Sequence, residues 1–427
     1  MTGDLNPSHI DPQFAAGDPF HHVIAHGMWS AGLISAVLGT RLPGAGTIYV
    51  AQDLRFRAPV SPGDTITATV AVTARDPARH EVTLDCRCTN QHGTLVVEGA
   101  ARVIAPSEKV RRAVVELPAV HVAAHRAHER LLAAARGGAA VLTAVVHPCS
   151  PAAIAAACEA ADAGFIVPIL VGPAARIAAA ADEAGCAIDR FTLVDAPHSH
   201  AAAERAVALA REGRAAALMK GSLHTDELMG AVLAHDSGLK TGRRVSHVYV
   251  MQLDGREQPL LITDAAINIE PSLEAKADIV TNAIELAHVL GIATPRVAIL
   301  AAVETVNPVM RATMDAAALC KMADRGQITG GVLDGPLAFD NAVSPDAARE
   351  KGIVSPVAGQ ADVLVVPNLE AGNMLAKQLT FLGGADAAGI VMGARVPIIL
   401  TSRADSQRTR MASAAVAVLV ARAGHAR

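Results

Sequence analysis

Residues 140–173 read AVLTAVVHPCSPAAIAAACEAADAGFIVPILVGP. Two short apolar runs, AVLTAVVHP and FIVPILVGP, each stop at turn residues, and an Ala-rich helical stretch separates them. Short apolar runs that end in this way read as buried strands. The rhythm continues through AAALMKG, VSHVYVM, LLITD, VAILAAV, GGVLDGP, ADVLVVPN, AAGIVMG and VPIILT, each ending in or followed by a turn signal. Helical segments lie between many of them. Strand and helix in alternation predict a largely parallel α/β sheet. Ligands of such sheets sit beyond the carboxyl ends of the strands, so the polar residues there become candidates.

The first hundred residues follow another pattern. Apolar residues recur at helical spacing from Met28 to Leu42, and Pro43-Gly44 ends the run. IYVAQDLRFRAPV, TITATVAVTARD, HEVTLDCRCTNQHG and TLVVEGAARVIA then alternate with period two between polar turns. One long helix and a meander of strands predict an antiparallel sheet packed on a helix, an α+β domain over 1–105. Residues 106–139 turn charged and Ala-rich and read as a helical linker. The α/β domain then spans 140–427.

Composition narrows the function classes. The chain has 427 residues and is 51% hydrophobic but only 2% aromatic, so its apolar content is mostly aliphatic. The net charge is -4 and no Lys/Arg run exceeds two residues, which argues against nucleic acid as a partner. No apolar span reaches 18 residues, and the first residues lack the pattern of a secretory signal. Six scattered cysteines read as reduced thiols of a cytoplasmic protein. Cys86-Arg87-Cys88 is spaced too closely for a usual zinc knuckle.

The opening GDLNPSHIDP holds Asp4, Asn6 and His9, stiffened by Pro7 and Pro12. One reading is structural: Asp4 or Asn6 caps a turn and His9 is a surface histidine. The other is a carboxylate and an imidazole that share one water molecule, taking its proton and returning one to a substrate. With IAHGMWSAGLISAVLGTRLPGAGTIYVAQDLRFRAPVSPGDTITATV, the loop resembles the MaoC-like (R)-specific enoyl-CoA hydratases over roughly residues 3–104. That resemblance implies a hot-dog fold, in which a curved antiparallel sheet wraps a long helix. It implies that Asp4 and His9 activate water for addition to a trans-2-enoyl thioester, with Asn6 ordering the loop. The helix start at His26-Gly27 would polarise the thioester carbonyl. In that family a strand and a helix precede the loop; only Met1 and Thr2 do so here, which implies a misplaced start or a trimmed domain.

Beyond residue 140, PILVGP, LMKGSLHTDELM, SHVYVM, TDAAINIEP, GVLDGPLAFDNAVS, SPVAGQADVLVVPNLEAGNMLAKQL and VPIILTSRADSQRTR resemble the phosphate acetyl/butyryltransferase family. The fold implied has two α/β subdomains facing a cleft, related to isocitrate dehydrogenase-like folds, and is usually dimeric or of higher order. The reaction implied is acyl-CoA plus phosphate giving acyl phosphate plus CoA, with coenzyme A thioesters and phosphate as substrates and no bound cofactor or metal. Ser402 and Arg403 align with the family's Ser-Arg pair, the serine stabilising an oxyanion and the arginine binding phosphate or CoA. Arg408 and Arg410 follow; a solvated helix start is the alternative reading of these arginines. The acetyltransferase branch carries an acidic residue seven positions after that serine. Thr409 stands there, Asp405 is the possible substitute, and TSRADS matches the butyryltransferase pattern more closely.

Other strand ends carry polar candidates for substrate binding. Lys220-Gly221 precedes a helix and reads as an anion site or a structural lysine. Asp334-Gly335 with Asp340, Asn368 with Asn373, and Asp264 with Asn268 read either as ligand contacts or as turn chemistry. Three functions fit: a bifunctional hydratase and phosphate acyltransferase, an acyltransferase whose first domain only binds CoA or dimerises, and a non-catalytic acyl-CoA sensor. A sensor needs neither Asp4/His9 nor Ser402/Arg403.

Overall fold

In the computed structural model the chain divides into two compact units, Met1–Val120 and His121–Arg427. The structure describes residues 3–108, 110, 126–253, 255–400 and 405–425. The first unit opens with two short helices, α1 (Pro7–Ile10) and α2 (Pro12–Ala16). Each has proline in its first turn, where the missing N–H costs nothing. Asn6 caps α1 and Asp11 caps α2 through their side-chain oxygens. Helix α3 (Gly27–Thr40) follows, with His26 as its cap.

Strands β1 (Ile48–Phe56), β2 (Thr67–Asp76), β3 (Glu81–Thr89) and β4 (Leu95–Ile104) form an antiparallel sheet in the order β1-β4-β3-β2. Ile34 and Leu38, one turn apart on α3, are buried against Leu84, Cys86, Cys88, Val97 and Val103. The helix-on-sheet arrangement expected for this region is present. Gly99 of β4 pairs with Leu54 of β1, and a Cβ on it would overlap the Asp53 carbonyl.

Among the described residues the second unit holds eleven strands. They are β5 (Val141–Val146), β6 (Ile166–Gly172), β7 (Thr192–Asp195), β8 (Ala217–Lys220), β9 (Ser246–Gln252), β10 (Leu260–Thr263), β11 (Arg296–Leu300), β12 (Val332–Leu337), β13 (Val363–Val365), β14 (Asp386–Met392) and β15 (Ile398–Ile399). The helices are α4 (Arg126–Arg136), α5 (Pro151–Asp162), α6 (Ala174–Ala184), α7 (Ser199–Arg211), α8 (Thr225–Leu233), α9 (Leu273–Val289), α10 (Arg311–Asp324), α11 (Phe339–Val343), α12 (Pro345–Glu350), α13 (Leu369–Phe381) and α14 (Gln407–His425). The strands join one sheet, β12-β11-β13-β10-β9-β14-β15-β8-β5-β6-β7. β12-β11-β13-β10 and β15-β8-β5-β6-β7 are parallel blocks. Antiparallel pairings through β9 and β14 join them, so the two blocks run in opposite directions. β7 was not legible as a strand: it is four residues long, lies at the sheet edge and is largely exposed.

One face of this sheet carries a continuous core, in which Val145, Leu170, Met219, Val250, Val297 and Ile390 meet α5, α6, α9, α10 and α14. The other face carries two separate cores. Ala144, Val146 and Leu218 pack under α7 and α8, while Ile262, Ala298 and Leu364 pack with residues of α11 and α13. His247 of β9 and Gly389 of β14 lie on that face too, since their neighbours Val248, Val250, Ala388 and Ile390 face the continuous core, and Tyr249 of β9 packs against the core of Ile262, Ala298 and Leu364.

Among the described residues no helix is long and apolar enough to cross a membrane, and all six cysteines are free. Under the continuous core, Lys276 of α9 donates to Asp315 of α10 at 2.8 Å, and the two residues are only 5% and 8% exposed. Removing one partner strands the other as a buried charge. Asp315→Ala is expected to destabilise the second unit by about 3–5 kcal/mol. Replacing both by Met and Leu should cost far less, as read by chemical denaturation.

Candidate active sites

In the first unit the proline-stiffened loop delivers its polar groups to the start of α3. Asp4 Oδ1 accepts the Asn6 N–H at 2.9 Å, and Asp4 Oδ2 lies 3.0 Å from His26 Nε2 and 4.0 Å from His9 Nε2. His9 Nδ1 is 2.9 Å from the Ile24 carbonyl oxygen, so it carries the proton and leaves Nε2 as the acceptor of the neutral ring. Asn6 Oδ1 accepts the Ser8 N–H at 3.2 Å, which assigns it to ordering the loop. The Asn6 N–H is the main cause holding the Asp4 carboxyl below its ordinary value; burial opposes this, and His26 and His9 add to the lowering.

A cavity of about 270 Å³ opens beside these groups, lined by His9, Phe20, Gly27, Phe56, Arg57 and Val97 among others. The Gly27 N–H is one of the orphan donors at the positive end of α3. A Cβ on Gly27 would come 2.9 Å from the Phe56 ring, so glycine keeps this wall open. Sequence reasoning used His26 only to mark the helix start; the signal for a larger role was a histidine at a cap position next to a loop with an acid.

In the second unit, pairing of Met219 with Ile399 and of Lys220 with Val146 ends β5, β8 and β15 at one level. Lys220, Gly221 and Leu400 therefore emerge at one edge. Gly221 is pressed against the Val146 and His147 backbone, where a Cβ would overlap. Lys220 Nζ donates to the Leu223 carbonyl at 3.2 Å. Ser222 and Ser150, the cap of α5, share a hydroxyl hydrogen bond of 2.8 Å. Ser402 and Arg403 lie outside the described residues. On the far side of that segment, Asp405 has its carbonyl bound by Arg410 Nη1 at 2.8 Å. Burial pushes the Tyr249 hydroxyl up, and the Asp405 charge adds to it. Arg408 sits 3.8 Å from Asp386, and Thr409 lies 3.1 Å from Ser406, the residue before α14.

His247 is the polar residue the apolar run SHVYVM concealed. It is 2% exposed, its Nδ1 has no hydrogen-bond partner, and its ring meets Tyr249 edge-on at 4.5 Å. A Cβ on Gly389 would lie 2.9 Å from His247 Nε2 and 3.1 Å from the Leu400 carbonyl, so glycine lets both approach. Burial drives the His247 pKa down, against the pull of Asp264, and favours the neutral ring.

Asp264 and Asn268 are brought together, but by their own turn. Asp264 accepts the Ala266, Ile267 and Asn268 N–H groups, and Asn268 accepts from Arg244 Nε at 2.9 Å. Asn373 Nδ2 donates to the Ala265 carbonyl at 3.2 Å, and Asn368 caps α13 while donating to Glu270. These four form one cluster at the end of β10. Asp334 and Gly335 are not part of it: they lie on β12 at the sheet edge, three strands from β10. Asp334 accepts the Gly335 N–H at 2.8 Å, and Asp340 is ion-paired with Lys351 at 3.4 Å.

The family model described as Phosphate acetyl/butaryl transferase matches residues 199–418, and the one described as MaoC like domain matches residues 1–90. A phosphate acetyltransferase of Rhizobium meliloti is 64% identical over 69% of this chain and 93% of its own length. A phosphate butyryltransferase of Clostridium acetobutylicum is 44% identical over 62% of this chain and 87% of its own. A crystal structure of a branched-chain phosphotransacylase from Enterococcus faecalis V583 covers 66% of this chain and 99% of its own, with a TM-score of 0.58 and 30% identity. The chain belongs to the phosphate acetyl/butyryltransferase family and carries a MaoC-like domain at its N-terminus.

Proposed function

We propose that the chain is a bifunctional acyl-CoA enzyme. Its second unit exchanges CoA for phosphate on an acyl thioester, and its first unit hydrates a trans-2-enoyl thioester. The observation that carries the transferase reading is the match of the second unit to nearly the whole length of a phosphate acetyltransferase. Transfer runs by attack of a phosphate oxygen on the thioester carbonyl carbon. The C–S bond then breaks, CoA leaves as the thiolate and takes up a proton, and acyl phosphate remains. Ser402 is assigned to the oxyanion and Arg403 to phosphate. Lys220 and Gly221, at the edge where β8 and β15 end, supply a further anion contact. The two parallel blocks act as the two subdomains, and the divide between the cores over His247 and Gly389 is the floor of the cleft. Acetyl and butyryl thioesters both fit this reading.

The hydration reading rests on His9 and Gly27, which line one apolar cavity, and on Asp4 beside His9. Asp4 Oδ2 and His9 Nε2 are 4.0 Å apart, a span that one water molecule bridges with two ordinary hydrogen bonds. The water oxygen bonds to C3 while the double-bond electrons move toward the carbonyl as an enolate, which the α3 N-terminus stabilises. The water proton passes to the Asp4/His9 pair, and a proton from that pair goes to C2.

Two assays on the full chain test the halves separately. Crotonyl-CoA hydration is followed as loss of enoyl absorbance; Asp4→Asn is expected to lower kcat/KM by at least about 10²-fold with the melting temperature unchanged. Hydration needs ionised Asp4, whose pKa is lowered. The activity is therefore present above that pKa and lost as pH falls through it, below the ordinary aspartate value of about 3.9. Wild-type chain that fails to hydrate crotonyl-CoA leaves the first unit a CoA-binding or dimerising module. Phosphate-dependent CoA release from acetyl- and butyryl-CoA reads the second half. There Ser402→Ala is expected to cost about 10²–10³-fold in kcat, and an unchanged rate would remove Ser402 from the site.

A further inference from the structure

His26 joins the helix start to the acid of the opening loop. Its Nδ1 accepts the Met28 N–H at 3.2 Å, which fixes the proton of the neutral ring on Nε2. Nε2 is directed at Asp4 Oδ2, 3.0 Å away. The ring is half-buried, with a side chain 22% exposed, and its centroid lies 5.5 Å from that of His9. The two histidines thus show Asp4 opposite chemistry. His9 is held through Nδ1 by a carbonyl and presents an acceptor. His26 is held through Nδ1 by a backbone N–H and presents a donor.

We propose that His26 is a positioning residue for hydration: a relay from the Met28 N–H through His26 to Asp4 Oδ2 that aims the water-binding carboxylate. This role rests on the hydration reading above and goes beyond its Asp4/His9 pair. Asp4 has its Oδ1 engaged by the Asn6 N–H. With Oδ2 also tied to α3, rotation of the carboxylate away from His9 breaks a charge-assisted bond. The relay couples two parts of the site that must act together, because the same helix end that steadies Asp4 also faces the thioester carbonyl.

Of the two histidines beside Asp4, His26 is the nearer. His9, from α1, is a full ångström farther away. Arg57, on the cavity wall, is paired with Glu98 at 2.8 Å. Asp18 is turned into its own loop, where it accepts the Phe20 and His21 N–H groups.

His26→Asn separates the relay from the cap. Asparagine is a good N-cap and accepts the same backbone N–H, but it is too short to reach Asp4. His26→Gln restores a side-chain donor at greater reach. In the full chain, His26→Asn is expected to melt as wild type and keep its phosphate-dependent CoA release. Its kcat for crotonyl-CoA hydration should fall by about 10²-fold, and the acid limb of the rate profile should move to higher pH. His26→Gln should recover part of both. Wild-type kcat and an unmoved acid limb in His26→Asn would overturn the proposal, as would a loss explained wholly by unfolding. If wild-type chain hydrates no crotonyl-CoA, the hydration reading fails by itself, and the relay is read from the carboxyl carbon-13 titration of Asp4, assigned with Asp4→Asn. A higher Asp4 pKa in His26→Asn supports the relay, and an unchanged one refutes it.

Discussion

A parallel strand must end where its crossover helix begins, so every strand of a parallel block points its carboxyl end to one edge. The second unit joins two such blocks head to tail in a single sheet, with β9 and β14 absorbing the reversal. Helices of the two blocks share one core over that reversal on only one face. On one face α9 and α14 bridge it; on the other the cover splits into two cores. His247 and Gly389 stand buried at the divide between those two cores, and Tyr249 packs at the margin of one of them. Gly389 lets the chain leaving β15 cross close to His247.

The first unit reaches a similar end by smaller means. Its four strands bury one helix, and the buried stripe Ile34 and Leu38 fixes how α3 lies on the sheet. The start of the helix then becomes a fixed point. His26 and Gly27 are positioned by α3, His9 by the Ile24 carbonyl, and Asp4 by Asn6 and His26. A loop near the start of the chain holds its geometry through these bonds rather than through burial of its own apolar groups, since Leu5 and Ile10 are exposed. Thioester chemistry unites the two proposed sites.

Elements with a long apolar run or a strict alternation were legible in the sequence, because burial of one face leaves that pattern. β7 left none, since Thr192–Asp195 is short and half in solvent. The order of strands was not legible either: the opposed blocks follow from pairing registers, which no single run encodes. For the sites, residue type and motif located Asp4, Asn6, His9, Lys220 and Gly221 at their loops. Asp264 and Asn268 carried the same signal, and their oxygens accept from their own turn and from Arg244. His247 was hidden because a histidine inside an apolar strand resembles an ordinary core position until its unpartnered nitrogen is seen.

The placement of transfer chemistry at the reversal of the sheet is open to direct measurement. Hydrogen exchange of the full chain, read by mass spectrometry with and without CoA plus phosphate, reports which loops of the second unit become protected. The account predicts slowed exchange in the turns that follow β8 and β10, residues 221–224 and 264–268. Protection in the second unit that leaves those turns unchanged and falls instead on the β12 edge around Asp334 and Asp340 would contradict it.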